Sequence, residues 1–161
     1  MALLLQDGSY LLTQQASEPL GRLLIKGDPG AIYHALAPAW RTANFGDGST
    51  NVAWASPLDP SERKTYTLNA STELNGIADR IQSVDVALSG LAALAGLQIY
   101  GVTNDDTAVS IWFEVGSGDR SRPGWNPPGE LHLVTVTITS MTGHVFQRDV
   151  SLRVVQLYRA I

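Results

Sequence analysis

From residue 62 onward, the apolar residues of this chain recur at every second position, which is the period of a β-strand buried on one face. The run from Thr107 to Val115 shows this most clearly, and its apolar side carries Val109, Ile111, Phe113 and Val115. The alternation returns in residues 64–70, 80–88, 131–139 and 146–154. Strands that are apolar on one face only are typical of antiparallel sheets, so the sequence predicts antiparallel pairing.

Six or seven such strands within about 100 residues, separated by turn residues, predict an all-β, antiparallel β-sandwich. The Ala-rich stretch between Leu88 and Gly96 admits a helical turn. Because glycines at positions 90 and 96 bracket it, we favour an irregular connection between two strands instead.

The N-terminal part of the chain has a different character. Residues 3–12, "LLLQDGSYLL", predict two short leucine-rich strands around Asp7-Gly8, a dipeptide that supplies the positive φ angles of a tight hairpin. An isolated hairpin is marginal in water, so we expect it to pack on its own domain or on a neighbouring subunit. We therefore divide the chain into an N-terminal hairpin or extended arm with its linker, 1–55, and a sandwich domain, 56–161.

No motif for catalysis, a metal or a cofactor stands out. The chain has no cysteine, and its three histidines, His34, His132 and His144, lack the spacing of a metal site. Asp105-Asp106 is explained by turn chemistry. Since no nucleophile elbow, P-loop or dinucleotide fingerprint is present, we expect a protein that is not an enzyme and that uses no cofactor or metal.

Charge and hydropathy exclude two further classes of function. Only 16% of the residues are charged, the net charge is −4, and the basic residues are scattered, which argues against binding to nucleic acid. No apolar run approaches the roughly 20 residues that span a bilayer, and no positively charged leader is present. We therefore expect no membrane insertion, and a chain made in the cytoplasm.

Two tryptophans are candidates for partner binding. Trp112 lies opposite the apolar side of its strand, where either the N-terminal segment covers it or another subunit contacts it. Trp125 lies in the loop 116–129, "GSGDRSRPGWNPPG", and loops of this length are usually functional or disordered. We favour partner binding for this loop over packing of Trp125 on its own domain or a mobile loop. The predicted partner-binding residues are Leu3, Leu4, Leu5, Tyr10, Leu11, Trp112, Arg120, Arg122 and Trp125.

Four stretches carry a resemblance to a known family. They are "DPSER" leading into "KTYTLNAS", then "IQSVDVALSGLAALAGLQIYG", "TAVSIWFEVGSG" and "HLVTVTITSMTGHVFQRDVSLRV". In this order they resemble the small Ig-like virion proteins of tailed bacteriophages known as fiber-tail adaptors. The resemblance covers residues 55–157. The loop 116–129 is longer than the connection of that family, and the N-terminal 55 residues are additional.

The resemblance implies a structural protein of the virion, made in the host bacterial cytoplasm. It would be an adaptor or connector at the tail or neck that joins tail components or fibres, present as a homo-oligomeric ring or in symmetric copies. Its partners would be other virion proteins: tail, neck or fibre subunits. Two alternatives stay open: a capsid decoration (cement) protein, and a carbohydrate- or cell-surface-binding module in which Trp112 and Trp125 stack on sugar rings.

Overall fold

Two four-stranded β-sheets pack face to face in the computed structural model, which describes residues 34–45 and 52–157. In chain order the strands are β1 (Thr42–Asn44), β2 (Val52–Ala53), β3 (Lys64–Asn69), β4 (Ile81–Leu88), β5 (Leu97–Asn104), β6 (Ala108–Val115), β7 (Glu130–Ser140) and β8 (Val145–Val154). Two short helices are α1 (Ser71–Asn75) and α2 (Gly90–Ala95), and 3-10 turns span Ala39–Arg41, Ser117–Asp119 and Pro123–Trp125. The predicted all-β sandwich is confirmed.

The sheets have the orders β1-β3-β6-β5 and β2-β8-β7-β4. The last three strands of the first order, β3-β6-β5, correspond to strands B, E and D of an Ig constant-type sandwich. The last three of the second order, β8-β7-β4, correspond to strands G, F and C. Every pair among these six strands is antiparallel. The edge strands β1 and β2 depart from the prediction, because they run parallel to β3 and β8.

The boundary predicted between residues 55 and 56 is wrong, because it cuts through the sandwich. Four residues before it are buried in the core: Ala43, Phe45, Val52 and Trp54. The Trp54 ring lies 5.5 Å from that of Tyr66 and 5.6 Å from that of Phe113, and its Nε1 donates a hydrogen bond to the Thr67 carbonyl. The predicted hairpin at residues 3–12 lies outside the described residues.

The core is built from the inward rows that the alternation predicts. Val109, Ile111, Phe113 and Val115 of β6 have no solvent exposure, and Val134, Val136 and Ile138 of β7 face them from the other sheet. Arg148 interrupts the inward row of β8, and its guanidinium lies 4.7 Å from the centre of the Phe45 ring.

The connection between β4 and β5 is a helix, so the predicted irregular connection is wrong. The Ser89 hydroxyl accepts a hydrogen bond from the Ala92 N–H and caps the start of α2. Gly96, with φ of +102°, ends the helix in the left-handed conformation. Gly90 is the first residue of the helix, where glycine does little harm, and this is why it does not interrupt the helix.

Candidate interaction surface

Helix α2 directs two leucines into solvent. Leu91 is 75% exposed and Leu94 is 83% exposed, whereas Ala92 and Ala95 pack against the core. Two more leucines are exposed on the outward face of β7, Leu131 at 55% and Leu133 at 46%. Solvent-exposed positions of helices and strands more often carry polar residues, so four leucines exposed on α2 and β7 need an explanation.

These four leucines lie at one end of the sandwich. The Ser89 N–H donates a hydrogen bond to the Leu133 carbonyl, and Leu88 is paired with Val134, so α2 begins beside Leu133. On the other side of β7, Leu133 is paired with Ser151 and Leu131 with Arg153. We call Leu91, Leu94, Leu131 and Leu133 the leucine patch. Contiguous exposed apolar surface is typical of a protein–protein interaction site, and these four residues are the candidates for such a surface at this end of the sandwich.

Trp112 is half-buried on the outward face of β6. Its ring packs edge-on against Tyr100, with the ring centres 6.5 Å apart. The Arg63 guanidinium lies 3.7 Å from the centre of the Tyr100 ring and forms an ion pair with Glu114 at 3.0 Å. The Trp112 Nε1 is buried and has no hydrogen-bond partner within the described ranges.

Residues 34–41 cover the sheet surface beside Trp112. The Ala35 carbonyl accepts a hydrogen bond from the Ser110 hydroxyl at 2.8 Å, and the Ala37 N–H donates to the Thr67 hydroxyl at 2.8 Å. Segment 34–41 therefore buries the Ser110 and Thr67 side chains of this face, and cover of Trp112 itself by the N-terminal segment stays a prediction. Contact between Trp112 and another subunit stays a prediction.

His34 fastens the start of this covering segment to the β5–β6 turn. Its Nδ1 lies 3.1 Å from the Thr103 hydroxyl, and its Nε2 lies 3.3 Å from the Asp105 carboxylate. Burial raises the pKa of Asp105, but the backbone N–H groups of Thr107 and Ala108 and the His34 side chain outweigh it, so the pKa lies below its ordinary value. The Asp105 turn predicted from sequence is thus the point to which His34 anchors this segment.

The loop 116–129 folds onto its own domain, and the predicted exposure of Trp125 is wrong. The Trp125 side chain has no solvent exposure, and its Nε1 donates a hydrogen bond to the Asp119 carbonyl at 2.7 Å. Its ring meets His132 edge-on at 5.8 Å, and the Arg122 guanidinium lies 4.8 Å from the ring centre. Of the three explanations for this loop, packing of Trp125 on its own domain is the one that describes the structure.

The two arginines of the loop form hydrogen bonds that stabilise the loop. Arg122 pairs with Glu130 at 2.8 Å, and His132 Nε2 lies 3.0 Å from the same carboxylate oxygen. The hydrogen bond between Arg122 and Glu130 raises the pKa of the arginine and lowers the pKa of the glutamate. Arg120 donates from Nε to the Val115 carbonyl at 3.2 Å. Partner binding by Arg120 and Arg122 stays a prediction.

One cluster has the residue types of a catalytic triad without its geometry. His144 Nδ1 lies 2.9 Å from the Thr142 hydroxyl and 3.7 Å from the Asp79 carboxylate, and Thr142 also donates a hydrogen bond to Asp79. In a triad the two imidazole nitrogens contact different groups, acid on one side and nucleophile on the other. Here one nitrogen contacts both. Hydrogen bonds from Ser140 and Thr142 lower the pKa of Asp79 to about 2. The same hydrogen bonds join the Asp79 carboxylate to the β7–β8 turn and so stabilise that turn.

Of the remaining predicted partner-binding residues, Leu3, Leu4, Leu5, Tyr10 and Leu11 lie outside the described residues. Within the described ranges, no three histidine, aspartate or glutamate side chains come together as metal ligands. The same part of the chain contains no helix of the length and apolarity needed to cross a bilayer. Comparison with protein-family models found no match, and comparison with curated proteins found none.

Proposed function

We propose that this protein is a non-enzymatic structural protein of a tailed bacteriophage, an adaptor at the tail or neck that joins tail components or fibres. The observation that carries the proposal is the leucine patch. The sequence resemblance to Ig-like fiber-tail adaptors supplies the setting in which such a patch is used, namely repeated contact with other virion proteins in a ring or in symmetric copies.

The leucine patch is held on a rigid support. The Ser89 cap fixes the start of α2, and its end packs so tightly that a Cβ on Gly96 would lie 2.4 Å from the Asp119 Cβ. Burying one leucine side chain contributes about 1.5–3 kcal/mol. Because the backbone of α2 is already folded, the free energy lost on binding is the cost of ordering the leucine side chains and not the cost of ordering the helix.

The positions of the two tryptophans argue against the carbohydrate-binding alternative. Stacking on a sugar ring needs an accessible aromatic face, but Trp125 is fully buried and Trp112 is half-buried beside Tyr100. A capsid decoration protein would use an apolar patch in the same way as a tail adaptor, so the number of copies in the particle separates these two.

We predict that the full-length double variant Leu91→Asp, Leu94→Asp is incorporated into phage particles at least about tenfold less than the wild-type chain. Two charges at a contact that buries both leucines remove more than the 1.4 kcal/mol that corresponds to a factor of ten. The measurement is quantitative mass spectrometry of purified particles after complementation with each variant.

The matched control is Ile77→Asp, which places a charge on a 43% exposed apolar residue at the other end of the sandwich. It is expected to be incorporated like the wild-type chain. Thermal unfolding of the purified proteins checks that all variants are folded. Incorporation of the double variant at the wild-type level would show that the leucine patch is not an assembly surface and would remove the main support for the proposal.

A further inference from the structure

The four edges of the two sheets differ in how they are protected. Edge strands expose unpaired backbone groups, and natural proteins protect them with short strands, bulges, lysines or prolines. β1 and β2 have only three and two residues, and the pairing of β5 shifts register between Ile99 and Gly101. β4 has eight residues without lysine or proline, and after a register shift between Ile81 and Ser83 it pairs regularly with β7 up to Leu88. The regular part of β4 is therefore the edge best suited to pair with another strand.

The pairing with β7 determines which backbone groups of β4 a further strand would bond. The Ser89 N–H donates a hydrogen bond to the Leu133 carbonyl, and in an antiparallel ladder every second residue directs its backbone groups to the partner strand. The residues that direct their N–H and C=O groups away from β7 are therefore Val84, Val86 and Leu88. Within the described ranges, no strand pairs with that side of β4.

The side chains of β4 set two conditions on the partner strand. Val84, Val86 and Leu88 lie on the inner face and are only partly buried against the core. On the outer face, Asp85 and Ala87 are exposed to solvent. A strand that pairs here must therefore place apolar side chains on the inner face, and it must not place a carboxylate opposite Asp85.

We infer that β4 pairs with β4 of a second copy of this chain, antiparallel and around a two-fold axis at Val86. In this register Val86 faces Val86 of the second copy and Val84 faces Leu88, so each inner position pairs two apolar residues. On the outer face Asp85 faces Ala87, so the two carboxylates do not lie opposite each other. The two-fold symmetry makes the last two contacts occur twice. The β2-β8-β7-β4 sheets of the two copies then form one continuous sheet.

The neighbouring registers meet these conditions less well. An axis at Asp85 places the two Asp85 carboxylates opposite each other, which is destabilising. An axis at Val84 places Val86 opposite Gln82, at the register shift of β4. An axis one residue closer to α2 brings the first residue of that helix into the pairing. The register at Val86 pairs only residues 84–88, which lie between the register shift and the start of α2.

Sedimentation equilibrium of the full-length protein tests the inference, between about 1 and 500 μM because an interface of one strand pair is small. We expect a monomer–dimer equilibrium. Ala87→Glu places a carboxylate opposite Asp85 twice, so the dissociation constant should rise about tenfold. Adding Asp85→Lys to Ala87→Glu turns both repulsions into attractions and should restore the dimer. The matched control, Gln147→Glu, adds the same charge at an exposed position of β8, two strands away, and should leave the dissociation constant unchanged.

Hydrogen exchange shows whether β4 forms the dimer contact. The amides of Val84, Val86 and Leu88 should be protected at high protein concentration and exchange faster on dilution, while the β7 amides stay slow throughout.

Three results would overturn the inference, which does not depend on the proposed function. The first is a protein that stays monomeric over the whole concentration range. The second is a dimer that Ala87→Glu leaves unchanged, because it would form through another surface such as the leucine patch. The third is protection of the three β4 amides that does not change on dilution, because another part of the same chain would then cover this edge.

Discussion

Replacing Trp125 with alanine is expected to lower the free energy of unfolding by about 3–5 kcal/mol, the usual cost of deleting a buried tryptophan side chain. The side chain is fully buried, donates to the Asp119 carbonyl and packs against His132. Its backbone carbonyl also accepts a hydrogen bond from the Gln156 N–H, which ties the loop to the C-terminal segment. Denaturant unfolding of the purified variants measures the loss.

Two further variants make this result specific to the Trp125 site. Trp125→Phe keeps an aromatic ring but leaves the Asp119 carbonyl without its donor, so it should cost about 1–3 kcal/mol. Trp40→Ala deletes a tryptophan that is 63% exposed and should change the free energy of unfolding by no more than about 0.5 kcal/mol. A stable, folded Trp125→Ala protein would contradict the core position of this residue and would restore the loop as a candidate partner site.

Gly129→Ala is expected to lower the free energy of unfolding by about 2–5 kcal/mol, through backbone strain and a steric clash together. Gly129 has φ of +77°, and a Cβ at this position would lie 2.3 Å from the Val154 carbonyl oxygen. That oxygen belongs to the backbone of β8, so it cannot move aside without disturbing the pairing of β7 with β8.

Substitutions at two other glycines distinguish the cost of backbone strain from the cost of the steric clash. Gly143 has φ of +97° with open space around its Cβ position, so Gly143→Ala should cost only the strain, about 1–2 kcal/mol. Gly118→Ala meets neither difficulty and should be close to neutral, within about 0.5 kcal/mol. Equal losses at positions 129 and 143, measured by denaturant unfolding, would show that the close approach to Val154 is unimportant.

The alternation of apolar residues predicted β3, β4, β6, β7 and β8 because each of these strands directs its apolar side chains to the core from a single face. The same signal could not reveal β1 and β2, which are too short to show a period. In β4 a strict period of two would place Gln82 on the same face as Val84 and Val86, whereas a register shift between Ile81 and Ser83 leaves Gln82 exposed. Local patterns therefore identify strands, but pairing between strands decides their exact faces.

The burial and the grouping of the candidate site residues depend on contacts between residues that are distant in sequence, and the sequence does not show these contacts. Trp125 is buried because the loop returns to Asp119 and His132, and nothing in "RPGWNPPG" shows that return. The leucine patch was missed for the same reason, since α2 and β7 are distant in sequence and become neighbours through the Ser89–Leu133 hydrogen bond. The signal that was available was local: Leu131 and Leu133 occupy outward positions of a strand where polar residues are the rule.

The measurement that tests the central claim most directly is the number of copies of this protein in a purified phage particle, by quantitative mass spectrometry against labelled standard peptides. A tail or neck adaptor in a closed ring predicts a small symmetric number, such as about six or twelve. Hundreds of copies would contradict a tail or neck position and would favour the capsid decoration protein. Absence from the particle would contradict a structural role in the virion altogether.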